Sequence, residues 1–161
     1  MKKILLMHPE RCTGCRVCES VCSLSHDGEC NPSRSRIRVI RWETRGIDIP
    51  VVCLQCDDPI CAQVCPTNAI RRDEQSQAMV TRPEVCLRCN MCALACPFGG
   101  TLVAPDKKIL RCDLCEGDPL CVKFCETKAI EYIRSDRVGL KKMREAIKGY
   151  PEIFRVVTSE K

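Results

Sequence analysis

The chain has 161 residues, 17 of them cysteine, a formal net charge of +5 and only 4% aromatic residues. That length allows one domain or two small ones with a modest core, and so few aromatic side chains make packing alone a thin source of stability. A secreted disulfide scaffold is disfavoured because the cysteine count is odd, the apolar stretch after Met1-Lys2-Lys3 is far too short for a signal peptide, and all but one cysteine fall into four similarly spaced quartets.

No run is long enough to span a membrane, so a reduced, cytoplasmic setting is expected. The positive balance invites a nucleic-acid reading, but it counts every thiol as neutral. If the quartets hold four cubanes whose oxidised cores carry about 2+, each site adds about −2 and the total falls to roughly −3. Nucleic-acid binding then loses its electrostatic basis.

Lys3 to Met7 is a short apolar run and predicts a strand. Directly after it comes Cys12-x2-Cys15-x2-Cys18-x3-Cys22, the spacing of bacterial-type iron–sulfur ligation. The reason is reach: three thiolates at this pitch wrap one loop around one cluster, while the fourth sits on the next helical turn and points to a neighbouring cluster. Gly14 gives the loop its freedom to fold. Zinc is the plain alternative, but structural zinc sites usually use two close pairs set well apart. Ser23, not proline, follows Cys22.

From Ser23 to Val52 there is no quartet. Asn31-Pro32-Ser33 marks a turn, and Arg36 to Trp42 alternates basic and apolar residues, which suits a half-buried strand. Arg36, Arg38 and Arg41 are read either as a stripe facing a partner or, preferably, as a solvated face that offsets cluster charge. Trp42 is expected in core or interface packing. Cys30 belongs to no quartet and reads as a spare thiol.

Ile49 to Val52 leads into the second quartet, Cys53-x2-Cys56-x4-Cys61-x3-Cys65, closed by Pro66. A strand, turn and strand are expected before the third, Cys86-x2-Cys89-x2-Cys92-x3-Cys96, closed by Pro97. Proline after the fourth cysteine ends the helical turn, since it has no backbone hydrogen to donate. Lys108-Ile109-Leu110 precedes the fourth quartet, Cys112-x2-Cys115-x5-Cys121-x3-Cys125. Ala129-Ile130 after it echoes Ala69-Ile70 after the second, an internal repeat with one module nested in another.

Beyond Arg134, Leu140, Met143, Ala146 and Ile147 recur at helical spacing, so Val138 to Lys148 is expected to be an amphipathic helix stopped by Gly149 and Pro151. Ile153 to Val157 is a short apolar tail. This end docks either on another subunit or on its own domain. His8 and His26 sit in no sequence constellation with a carboxylate or nucleophile and are expected to be ordinary surface or packing histidines.

In these four quartets the chain resembles the four-cluster iron–sulfur subunits that accompany molybdenum or tungsten pterin enzymes and some hydrogenases, typified by the iron–sulfur subunit of dimethyl sulfoxide reductase. Its small size is similar to the compact members beside tungsten enzymes of the aldehyde:ferredoxin oxidoreductase type. The resemblance runs from Ile4 to Ile133 and implies an α+β fold of two ferredoxin-like modules, each with two [4Fe-4S] clusters. Residues 1–30 and 104–133 would form the outer module, 31–52 connecting strands, 53–103 the inner module and 134–161 a helix and docking tail.

The same resemblance implies the ligand sets. Cys12, Cys15 and Cys18 would share a cluster with Cys125, and Cys22 would join Cys112, Cys115 and Cys121. Cys53, Cys56 and Cys61 would pair with Cys96, and Cys65 with Cys86, Cys89 and Cys92. The absence of proline after Cys22 and Cys125 departs from the commonest pattern and bears on the local geometry there.

Four clusters in a small chain make sense as a wire, with the protein fixing spacing and tuning potential. Arg11, Arg16, Arg88, Lys107 and Arg111 lie near ligands in sequence and are candidates to stabilise reduced clusters. With no dinucleotide fingerprint and no nucleophile set, the expected role is a non-catalytic electron-transfer subunit between a catalytic partner, a tungsten or molybdenum pterin enzyme, and a second redox partner such as a flavin protein or ferredoxin. The alternatives are a free-standing polyferredoxin, a subunit of a hydrogenase or similar complex, and a cluster-based redox sensor. The last lacks any helix-turn-helix-like segment to support it.

Overall fold

The computed structural model describes residues 2–148. Its strands form four two-stranded antiparallel ribbons. β1 (Lys3–Met7) pairs with β8 (Ile130–Arg134), from Lys3 opposite Arg134 to Met7 opposite Ile130. β2 (Ile37–Trp42) pairs with β3 (Ile47–Val52), β4 (Ile70–Arg72) with β5 (Met79–Thr81), and β6 (Thr101–Val103) with β7 (Ile109–Arg111). Between them lie α1 (Val17–Asp27), the single-turn helices α2 (Ile60–Gln63), α3 (Met91–Leu94) and α4 (Leu120–Lys123), and α5 (Val138–Lys148). α1 packs against α4, and α2 against α3.

β1, β2, the β4–β5 pair and α5 fall where the sequence predicts them. The helical turns at the quartets differ in a way the sequence explains only in part. After Cys65 and Cys96 proline ends the helix, yet after Cys125, which Glu126 follows, the chain makes the same turn: the backbone N–H of the third residue on donates to the cysteine carbonyl at 3.2 Å in Asn68, 3.3 Å in Gly99 and 3.2 Å in Lys128. The helix of Cys22 instead continues to Asp27 and stops at Gly28, whose φ of 72° suits glycine. Proline therefore reinforces this turn but is not required for it.

The core is sulfur-rich. One cluster gathers Leu5, Ile37, Val52, Leu114 and Ile130 around Cys22, Cys53, Cys112 and Cys121. The second gathers Ile70, Met79 and Ile109 around Cys61 and Cys92. Apolar side chains thus close over thiols, and any group those thiols hold becomes part of the core.

The β2–β3 ribbon turns Ile37, Val39 and Val52 inward, while Ile40 and Trp42 are exposed. Trp42 is therefore not core: its ring is half exposed, with the Arg45 guanidinium 4.7 Å from its centroid. Nor do Arg36 and Arg41 form a free stripe, since Arg36 pairs with Asp27 at 3.2 Å and Arg41 with Asp48, directly across the ribbon, at 3.1 Å. The free edge of β2 is held by Glu19, a buried α1 carboxylate that accepts from the Val39 N–H at 2.6 Å. On α5, Leu140 and Met143 are exposed. The apolar tail Ile153 to Val157, with Gly149 and Pro151, lies outside the described residues.

Candidate metal centres

Each quartet begins in a loop whose backbone is forced into the left-handed region. The residue before the second cysteine has positive φ in all four: Gly14 (68°), Gln55 (55°), Arg88 (54°) and Leu114 (61°). Only the first is glycine. Non-glycine residues hold this conformation only where the surroundings determine it, and such strain gathers at functional sites. Here it curls each loop so that its sulfurs converge.

Three cysteine-lined spaces result, of nearly equal size and partly open to solvent. Cys12, Cys15, Cys18 and Cys125 line one of 340 Å³, Cys22, Cys112, Cys115 and Cys121 one of 330 Å³, and Cys65, Cys86, Cys89 and Cys92 one of 320 Å³. Each joins cysteines from two quartets: the first and fourth, far apart in the chain, in two of the spaces, and the consecutive second and third in the other. Of the rest, Cys53 and Cys61 interact and are buried, while Cys30 is exposed and lines none of these spaces.

The three spaces and the Cys53–Cys61 pair lie next to one another. Cys18 and Cys121 interact, as do Cys112 and Cys53, and Cys61 and Cys92. Burial pushes Cys18 up to about 12, with Glu19 and Cys15 adding to it. Burial also raises Cys112 and Cys121, reinforced by neighbouring thiols. Such sulfurs become thiolates only when a strong cation shares the space, and iron within a cluster supplies it.

Donors to sulfur already point inward. The Arg36 backbone N–H lies 3.3 Å from Cys22 Sγ, the Ala69 N–H 3.2 Å from Cys65 Sγ, and Arg111 Nη1 3.2 Å from Cys61 Sγ. Arg111 Nη2 is buried with no protein partner. Thiols in fours, N–H groups aimed at sulfur and an orphaned guanidinium nitrogen among them fit an iron–sulfur cluster, whose sulfides accept hydrogen bonds.

The histidines differ from expectation. His26 Nδ1 donates to the Cys22 carbonyl at 2.8 Å, and Nε2 lies 3.0 Å from Asp113. Asp113, then Cys115 and Cys22, raise its pKa to about 12, so it is an imidazolium against the second space. Asp113 Oδ1 also accepts from the Cys115 N–H at 3.0 Å. His8 is buried, with Nδ1 3.0 Å from Glu10 and Nε2 3.5 Å from Glu131. Both therefore belong to carboxylate constellations. The readable signal for His26 was its place four residues after Cys22 on one helix face. Gln55, fully buried, was missed altogether: it donates to the Cys112 carbonyl at 2.8 Å and accepts from the Met79 N–H at 2.7 Å.

No helix among the described residues is long and apolar enough to cross a membrane. The family described as the 4Fe-4S dicluster domain matches residues 45–135. The polyferredoxin-like subunit of an aliphatic sulfonate oxidoreductase from Pyrococcus furiosus is 44% identical over 122 residues, covering 75% of this chain and 70% of its own. An Escherichia coli K12 protein named for electron transport, YsaA, is 37% identical over 161 residues, 90% of this chain and 98% of its own. Formate hydrogenlyase subunit 2 of Escherichia coli K12 is 28% identical over 171 residues, 83% of this chain and 82% of its own. With its cysteine-lined spaces and these relatives, the chain belongs to the 4Fe-4S dicluster-domain family of iron–sulfur proteins.

Proposed function

We propose that this chain is an electron-transfer subunit that carries four [4Fe-4S] clusters in single file and relays electrons between a catalytic oxidoreductase subunit and a second redox partner. The ligand sets are Cys12, Cys15, Cys18 with Cys125; Cys22 with Cys112, Cys115, Cys121; Cys53, Cys56, Cys61 with Cys96; and Cys65 with Cys86, Cys89, Cys92. The observation that carries this reading is the trio of similar spaces, each lined by four cysteines drawn from two quartets.

The neighbouring thiols supply the order. Cys18 beside Cys121, Cys112 beside Cys53 and Cys61 beside Cys92 support a file running from the Cys12 cluster to the Cys22, Cys53 and Cys65 clusters. Exposed Cys15 lies at one end and exposed Cys89 at the other, where electrons enter and leave. Bound clusters supply the one-electron chemistry, and the chain holds them close and desolvated. Two nested modules accord with the pairing of β1 with β8 and of α1 with α4 around the α2–α3 pair.

In this reading the catalytic partner is a tungsten or molybdenum pterin enzyme of the aldehyde oxidoreductase type. The likeness to a subunit of a sulfonate oxidoreductase supports an oxidoreductase partner. A place in a hydrogenase-type complex is the second reading, favoured by the likeness to a formate hydrogenlyase subunit. Anaerobic purification of the native complex tests both, through the metal of the co-eluting subunit and about sixteen irons per chain. About eight irons would reduce the file to two clusters, and elution of the chain alone would remove the catalytic partner.

A further inference from the structure

Of the five candidate cations, Arg11, Arg16, Arg88 and Arg111 adjoin a quartet cysteine in sequence and Lys107 lies five residues before one, and the fold separates them. Arg16, Arg88 and Lys107 are exposed, and Arg11 pairs with Glu131 at 3.2 Å. Arg111, the last residue of β7, is only 5% exposed. Its Nη1 donates to Cys61 Sγ at 3.2 Å and its Nε to Thr81 Oγ1 at 3.4 Å, while Nη2 is buried without a protein partner. Burial works against its charge, but Cys61, Cys53 and Cys92 together hold its pKa above the ordinary arginine value. The guanidinium therefore sits among sulfurs of two different quartet groups.

A buried cation needs a matching negative charge. No carboxylate pairs with Arg111 among the described residues; sulfur is the counter-charge. A guanidinium also keeps its proton at any working pH. Each one-electron reduction adds one negative charge to a cluster, with no bond made or broken at the arginine and no proton moved. A fixed, desolvated positive charge against a ligand sulfur favours that added charge more than an exposed one does.

We propose that Arg111 is a positioning residue that sets the reduction potential of the cluster held by Cys53, Cys56, Cys61 and Cys96, keeping it reducible by its neighbour. The proposal rests on the ligand sets given above. Arg111 spans the step between the third and fourth clusters of the file, so its charge fixes how readily an electron is held there.

The test is a redox titration of anaerobically purified holoprotein, followed by electron paramagnetic resonance, with iron counted in each sample. Arg111→Gln is expected to retain wild-type iron and to lower the reduction equilibrium constant of one cluster at least tenfold, which for one electron is about 59 mV. That signal is the one that Cys61→Ser displaces or removes. Arg111→Lys, which keeps the charge but lacks the planar fork, is expected to move the same signal the same way by about two- to threefold. Exposed Lys107→Gln is expected to leave every cluster within twofold.

If Arg111→Gln fails to load iron, the lysine variant decides. Signals within experimental error of wild type in a fully loaded Arg111 variant overturn the proposal, as does an equal displacement of all four. Wild-type protein without the expected iron would instead overturn the ligand sets, so the two failures are distinguishable.

Discussion

The side chain of Gln55 and the backbone of Cys112 are joined across the interior at 2.8 Å, although 57 residues separate them. The same amide accepts from the Met79 N–H at 2.7 Å. One buried side chain thus aligns the second quartet, the fourth quartet and β5. Gln55→Met keeps the length but strands a backbone carbonyl and an N–H, each costing about 1–3 kcal/mol. A loss of about 2–5 kcal/mol is expected by anaerobic chemical denaturation of the holoprotein. A loss below about 1 kcal/mol would mean that water replaces the amide.

Gly100 and Gly28 make opposite demands. A Cβ on Gly100 would stand 2.6 Å from the Cys53 backbone, whereas one on Gly28 would meet nothing within 4 Å. Gly28→Ala therefore costs only the left-handed backbone, about 1 kcal/mol. Gly100→Ala must displace the start of the second quartet, and reduced iron content is expected in the purified protein. Full iron in that variant would show that the loop yields easily.

Asp27 ties the end of α1 to Arg36 at 3.2 Å and to Lys108 at 3.3 Å, in a site that leaves only a tenth of its side chain exposed. Burial opposes its ionisation, but those two cations hold its carboxyl below the usual range. A depressed carboxyl contributes stability above its unfolded pKa, near 3.9, and loses it as pH falls through the folded value. Asp27→Asn is expected to cost about 1–3 kcal/mol at pH 7. The gap from wild type should close below about pH 4. A gap unchanged at pH 3 would assign the cost to packing.

Cys30 is exposed and stands apart from the cysteine-lined spaces. Cys30→Ser should leave iron content unchanged, and loss of about a quarter of the iron would make it a ligand. Stripping iron from the wild type with chelator should unfold the chain, because the core is partly sulfur and its closure depends on what the sulfur binds. Native-like circular dichroism of the iron-free chain would contradict this.

Local patterns were legible and distant ones were not. The apolar run of β1, the alternation of β2 and the spacing of α5 depend on neighbours in sequence, and the sequence reading located all three. For Trp42 the sequence leaves core and interface both open, because alternation marks a two-faced ribbon without saying which face another element covers, and the structure excludes the core. His26, Asp113 and Gln55 act across long separations, so their roles appear only once α1, β5 and the fourth quartet are assembled. Arg111 was one of five candidates by nearness in sequence. Direction decided among them, since β7 turns its last side chain into the protein while the loops turn Arg16, Arg88 and Lys107 out.

The pairing of Lys3 with Arg134 and of Met7 with Ile130 also constrains how the molecule is made. β1 meets its partner β8 only after more than a hundred further residues have been translated. Until then Leu5 and Leu6, buried in the finished protein, sit on an open strand that any other nascent chain can copy. Late closure thus makes biogenesis, rather than the finished fold, the stage at which this protein is most exposed to misassembly.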